Sequence, residues 1–139
     1  MDWLSRLATI PDHELTLTEL VLPQQANHYG TLFGPNALAL LGKAAYLAAA
    51  GATQQAVVMA SARQVDFLAP VPVGALLHLK ARITRVGHTS LTVEVRAALD
   101  AAPGTHATQV LHGSFEMVTV DELGRPTPLR TSPQAEAVL

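Results

Sequence analysis

Cysteine is absent from all 139 residues, which removes disulfide scaffolds, thiolate-ligated zinc, iron–sulfur clusters and a thiol nucleophile. Charge is scarce as well. Asp, Glu, Lys and Arg make up 14% of the chain, the nine basic residues are dispersed, and the net charge is −2. Such a surface has no electrostatic footprint for a phosphate polymer, so no nucleic-acid partner is expected. Long hydrophobic runs are missing too. The most apolar window, residues 37–52, is interrupted by Gly42, Lys43 and Tyr46 and falls short of the roughly 20 residues of a membrane span. The first ten residues place Arg6 inside their only apolar stretch, unlike a secretory signal. The expectation is a soluble, cytoplasmic protein with no membrane partner.

What the chain does have is apolar mass. Hydrophobic residues reach 49%, far from the composition of disordered chains, and the length suits one domain with its own core. A mean hydropathy of +0.26 in so small and charge-poor a domain predicts that further surface is hidden between copies of the chain.

The order of elements reads strand, helix, then four strands. Residues 14–22 alternate Leu15 and Leu17 with Thr16 and Thr18 before a shift of phase, and Pro23 ends the strand. Gly34-Pro35 suits a helix start. The helix predicted over 36–50 is apolar on almost every side and so must be wrapped by other structure, with Gly51 as its stop. Strands follow over 56–67, 76–85, 90–99 and 106–120, the last with Phe115 and Met117 on one face and His112, Ser114 and Glu116 on the other. Short turns at Val73-Gly74, Val86-Gly87 and Pro103-Gly104 make neighbouring strands antiparallel. The fold class is therefore α+β, an antiparallel sheet wrapped around one central buried helix. Residues 1–123 form the domain, and 124–139, with three prolines, form a C-terminal tail.

Several chemistries fail on spacing. Gly34 and Gly42 are separated by seven residues and Lys43 is followed by Ala44, which is not a P-loop. There is no GxSxG, HExxH, GxGxxG or EF-hand loop. The six histidines are scattered and show no metal-ligand spacing, so no metal site is expected.

Richest in information is the loop and helix start. The string NHYGTLFG, a buried helix, then VDFLAPVPVG and TRVGHTSLTVEV together resemble the hotdog-fold acyl-CoA thioesterases, specifically the acyl-CoA hydrolase branch, over about residues 20–120. The resemblance implies a hotdog fold and hydrolysis of acyl-CoA to free acid and coenzyme A, with no cofactor beyond the CoA of the substrate. It also implies self-association as a dimer, a dimer of dimers or a trimer of dimers, with sites between subunits. The family's asparagine falls on Asn27, which would position water or the thioester. The helix amide at Gly34 would polarise the carbonyl. CoA-contacting residues fall on Arg85, Gly87, His88, Thr89 and Ser90, where glycine permits close backbone approach. The family's helix carboxylate aligns with Gly42, which has no side chain. His28, Asp66 and Glu116 are the alternative bases, His28 foremost because it adjoins Asn27. A non-catalytic acyl-CoA binding or regulatory protein is the other reading.

Overall fold

The computed structural model describes residues 3–8, 14–101 and 103–130. After a short helix α1 (Trp3–Ala8), strand β1 (Glu14–Leu20) leads through a 3₁₀ turn to the long helix α2 (Gly34–Thr53), followed by β2 (Val57–Phe67), β3 (Leu76–Val86), β4 (Ser90–Leu99) and β5 (Thr108–Thr119). The five strands form one antiparallel sheet in the order β1-β3-β4-β5-β2.

Period-two alternation decides which face holds the core. Leu77, Leu79 and Ile83 of β3, Leu91, Val93 and Val95 of β4, and Leu111, Phe115 and Met117 of β5 are all buried. Each large apolar side chain so placed contributes about 1.5–3 kcal/mol. Helix α2 fills this face with small residues, Ala44, Ala45, Ala48, Ala49 and Ala52, beside Leu41. Methyl-sized side chains let the helix axis approach the sheet closely, so the sheet wraps it as the sequence predicts.

Four details differ from the sequence reading. Gly51 does not stop the helix: α2 continues to Thr53 and ends at Gln54, whose backbone is left-handed (φ 54°) and whose N–H reaches the Ala50 carbonyl at 2.9 Å. Ala52 and Thr53 are buried, and the Thr53 hydroxyl donates to the Ala49 carbonyl at 2.7 Å. Those contacts outweigh the ~1 kcal/mol helix cost of a glycine. The helix also begins earlier, at Gly34 itself, with Phe33 as N-cap. Strand β1 alternates without interruption, and the apparent phase shift is the chain leaving the sheet, with Val21 buried beyond the strand end. Finally, α2 is not wrapped on all sides by its own chain: Leu38, Tyr46 and Leu47 are exposed.

Strand β2 explains part of that exposure. Among the described residues it is an edge strand paired only to β5, it slips register between Met59 and Ser61 and again between Arg63 and Asp66, and Val58, Met59 and Phe67 stand exposed on it. Beside the start of β2, residues 124–130 lie against the body. Leu129 is buried and its N–H donates to the His88 carbonyl at 2.9 Å, while Thr127 pairs with Thr119. Residues 131–139 of the expected tail lie outside the described residues.

Candidate active site

The loop between β1 and α2 is ordered by Asn27. Its side-chain oxygen accepts the backbone N–H of Tyr29 at 2.9 Å and of Thr31 at 3.2 Å, and its amide nitrogen donates to the Thr31 hydroxyl at 3.0 Å. An asparagine oxygen held this way replaces a backbone acceptor and closes the turn. The loop is then pinned at both ends: the Leu32 N–H donates to Val71 at 2.8 Å and the Phe33 N–H to Gln25 at 2.9 Å. His28 projects from this loop, exposed, with its ring 3.9 Å from that of Tyr29.

Gly34 opens α2, so its N–H and that of Asn36 belong to the first turn and have no intrahelical acceptor. Of the two, Gly34 borders a recess of about 290 Å³ whose walls include Leu32, Phe67, Leu68, Val71 and Leu111. A hypothetical Cβ on Gly34 would approach the Phe67 ring to 4.0 Å. The recess therefore combines apolar walls with a partial positive charge at its helix end.

Of the expected site residues only Gly34 lines this recess; Asn27 and His28 stand on the adjoining loop, and the others are more distant. Strand β3 runs from the loop end of the sheet, where the Val21 N–H meets Ala75, to the turn that carries Gly87, His88 and Thr89. Ten residues of strand separate the two ends, roughly 33 Å. Within one chain Asn27 and Gly34 stand at one end, and Arg85, Gly87, His88, Thr89 and Ser90 at the other. The turn is closed on itself. The Gly87 N–H donates to the Ser90 carbonyl at 2.7 Å, Thr119 donates to the Thr89 carbonyl at 2.9 Å, and the His88 ring lies 3.5 Å from the Arg6 guanidinium of α1. A Cβ on Gly87 would stand 2.9 Å from the Arg85 guanidinium and 3.1 Å from the Ser90 hydroxyl, so a side chain there makes the Arg85 guanidinium shift.

Two of the alternative bases are engaged elsewhere. Glu116 accepts from the Arg85 guanidinium at 2.8 Å and from the Thr92 hydroxyl. Asp66 lies 3.1 Å from His112 across β2 and β5. Glu116 and His112 alternate with the buried residues of β5, so both pairs occupy the sheet face turned away from α2. Lys43 forms an ion pair with Glu19 of β1, fixing the one cation of the helix toward the far edge of the sheet.

At Gly42 the backbone has a neighbour that sequence reasoning missed. A Cβ built on Gly42 would lie 3.0 Å from the terminal methyl of Met59 on β2. Nothing in the local pattern of either segment signals that contact, which arises only when β2 folds back along the helix. Among the described residues no three His, Asp or Glu side chains gather as metal ligands would, and no helix is long and apolar enough to cross a membrane.

Known proteins place this geometry. An uncharacterized acyl-CoA thioester hydrolase of Zymomonas mobilis is 34% identical over 84% of this chain and 78% of its own length. An acyl-CoA hydrolase of Staphylococcus aureus, solved as an asparagine-to-alanine variant with coenzyme A, superposes with a TM-score of 0.80 at 26% identity, covering 86% of this chain and 72% of that one. The same enzyme has been solved as aspartate-to-alanine and threonine-to-alanine variants, each with a TM-score of 0.78, 27% identity and coverage of 86% and 74%. A hexameric acyl-CoA thioesterase matches with a TM-score of 0.78 at 37% identity over 86% of this chain and 77% of its own. The five-stranded sheet around one long helix is thus the hotdog fold. Residues 29–100, more than half of the sequence, match the thioesterase superfamily, and with the relatives above this establishes that the chain belongs to that superfamily.

Proposed function

We propose that this protein hydrolyses acyl-CoA thioesters to the free acid and coenzyme A, in a hotdog domain whose active site is completed by a second copy. The observation that carries the reading is the recess at the start of α2, where apolar walls end on the Gly34 amide, which has no intrahelical acceptor. An acyl group seated there presents its carbonyl oxygen to the Gly34 end, where the tetrahedral intermediate gathers negative charge. Asn27 holds the loop in place and keeps one of its two amide hydrogens for water or substrate, since the other serves Thr31. His28, beside it, takes the proton from the attacking water. The carbonyl carbon gains the water oxygen, the carbon–sulfur bond breaks, and the sulfur leaves with a proton as coenzyme A.

The roughly 33 Å separation of loop and turn supports a site shared between two copies. Two chains joined along β2 about a twofold axis run antiparallel, so the turn of the partner comes to the end of the sheet that carries Asn27 and Gly34. It then lies two to three strands from the seam, about 10–14 Å. An extended coenzyme A spans such a gap between the recess and Arg85, Gly87, His88, Thr89 and Ser90 of the second copy. Coenzyme A enters only as part of the substrate. The unpaired, apolar edge of β2 and the exposed Leu38, Tyr46 and Leu47 support a dimer that assembles further, as a dimer of dimers or a trimer of dimers.

One observation favours a second reading, a non-catalytic acyl-CoA binder. In the Staphylococcus aureus enzyme the asparagine, aspartate and threonine chosen for replacement follow at intervals of fifteen and seventeen residues. The same intervals counted from Asn27 reach Gly42 and Met59, neither of which carries a polar side chain. Thiol release from a medium-chain acyl-CoA separates the two. Turnover that falls about 10²-fold in Asn27→Ala supports the hydrolase; calorimetric binding of acyl-CoA without turnover supports the binder.

A further inference from the structure

We propose that Gly42 and Met59 act as one apolar unit: the Met59 methyl takes the space of the missing helix side chain and lines the seam as a contact for the acyl chain. The inference rests on the acyl-CoA reading above and specifies what replaces the carboxylate wall. A carbon at 3.0 Å from a Cβ on Gly42 is inside ordinary contact of about 3.5–4.0 Å, so even a Cβ there makes the Met59 methyl give way, and a longer side chain such as aspartate displaces it further. Met59 is aimed there by the edge strand. It pairs with Met117, but the next paired residue is Ser61 opposite Glu116, and the extra residue between them bends β2. A thioether side chain is flexible and polarisable, suited to filling an irregular gap and to gripping alkyl chains of varied shape.

The consequence is that an acid at position 42 is not restored by one substitution. With Met59 in place, an aspartate there meets a methyl group and loses hydration, which favours its neutral form, the wrong one for a base. Met59→Thr opens the space and supplies a hydroxyl, but without an acid it only removes the acyl contact.

The test is a double-variant cycle on the full chain, read by thiol release from a medium-chain acyl-CoA and by calorimetric binding of the same compound. Gly42→Asp alone lowers turnover several-fold, Met59→Thr alone raises KM, and the double variant exceeds wild type by at least about 10²-fold. A full gain from Gly42→Asp alone, or a double variant no faster than the singles, overturns the proposal while binding persists. Loss of binding in the wild type itself would instead remove the acyl-CoA reading. Thermal unfolding checks the contact without activity: Gly42→Ala raises Tm about 3 °C more in a Met59→Ala background than in the wild type, and equal shifts overturn it.

Discussion

Arg85 and Glu116 are partners: the guanidinium of β3 donates to the carboxylate of β5 at 2.8 Å across the intervening strand, and the same guanidinium reaches Ser90 at 3.0 Å and Thr92 at 3.1 Å. A residue expected to meet coenzyme A and one considered as a base thus neutralise each other on the sheet face away from the helix. Glu116→Gln then lowers stability by only about 0.2–1 kcal/mol, since Arg85 is 44% exposed and the pair is screened. Turnover stays within about twofold of wild type, because the carboxylate faces away from the recess. A 10²-fold loss of kcat, the usual scale of a lost general base, would return Glu116 to the mechanism.

Gly87 gives the turn proposed to bind coenzyme A its own test. A methyl group there collides with Arg85 and Ser90, so Gly87→Ala displaces both. Steady-state kinetics show KM for acyl-CoA rising roughly five- to tenfold, about 1 to 1.4 kcal/mol of binding, with kcat changed far less. A fall in kcat at constant KM contradicts a role confined to binding.

The three central strands were legible because alternation is a local property: Leu77 to Ile83 and Leu91 to Val95 fall on the core face wherever the sheet curls. The loop was legible as well, since Gly34-Pro35 marks a helix start whatever surrounds it. Gly51 misled because its own propensity says stop, whereas Ala52 and Thr53, buried by the fold, carry the helix on. The apolar content of 56–67 marks a strand but does not say that it lies at an edge, with Val58 and Met59 exposed in a single chain. The meeting of Met59 with Gly42, and the placing of Asn27 and Gly87 at opposite ends, are tertiary facts that no window of sequence contains. Helix α1 had no periodic signal long enough to reveal it.

Asn27 joins structure to chemistry, and its variants separate the two. Asn27→Ala removes four hydrogen bonds within the loop and lowers kcat about 10²-fold. Asn27→Asp keeps the oxygen that accepts from Tyr29 and Thr31 but loses the N–H donor. Circular dichroism then shows a native Tm for Asn27→Asp while thiol release remains as low as in Asn27→Ala. Recovery of activity in Asn27→Asp would mean that the residue only shapes the loop.

Acid stability has a local contributor. The Arg125 backbone N–H, with the Leu123 N–H and the Arg125 guanidinium, holds the Asp121 carboxyl below its ordinary range. A depressed folded pKa stabilises the native state above the unfolded value of about 3.9 and loses that stabilisation as pH falls through the folded value. Urea unfolding of Asp121→Asn compared with wild type shows a difference at pH 6 that shrinks below pH ~4. A difference that grows on acidification contradicts this arrangement.

Subunit complementation tests most directly whether one site draws on two chains. Asn27→Ala is impaired in the loop and Gly87→Glu in the turn; mixed through a denaturation and refolding cycle, half of the dimers pair one of each. In such a dimer one site carries both defects and the other carries neither. Thiol release from the mixture therefore recovers to about one quarter of wild-type activity. Recovery no greater than the average of the two parents contradicts a site built from Asn27 and Gly34 of one copy and the Gly87 turn of its partner.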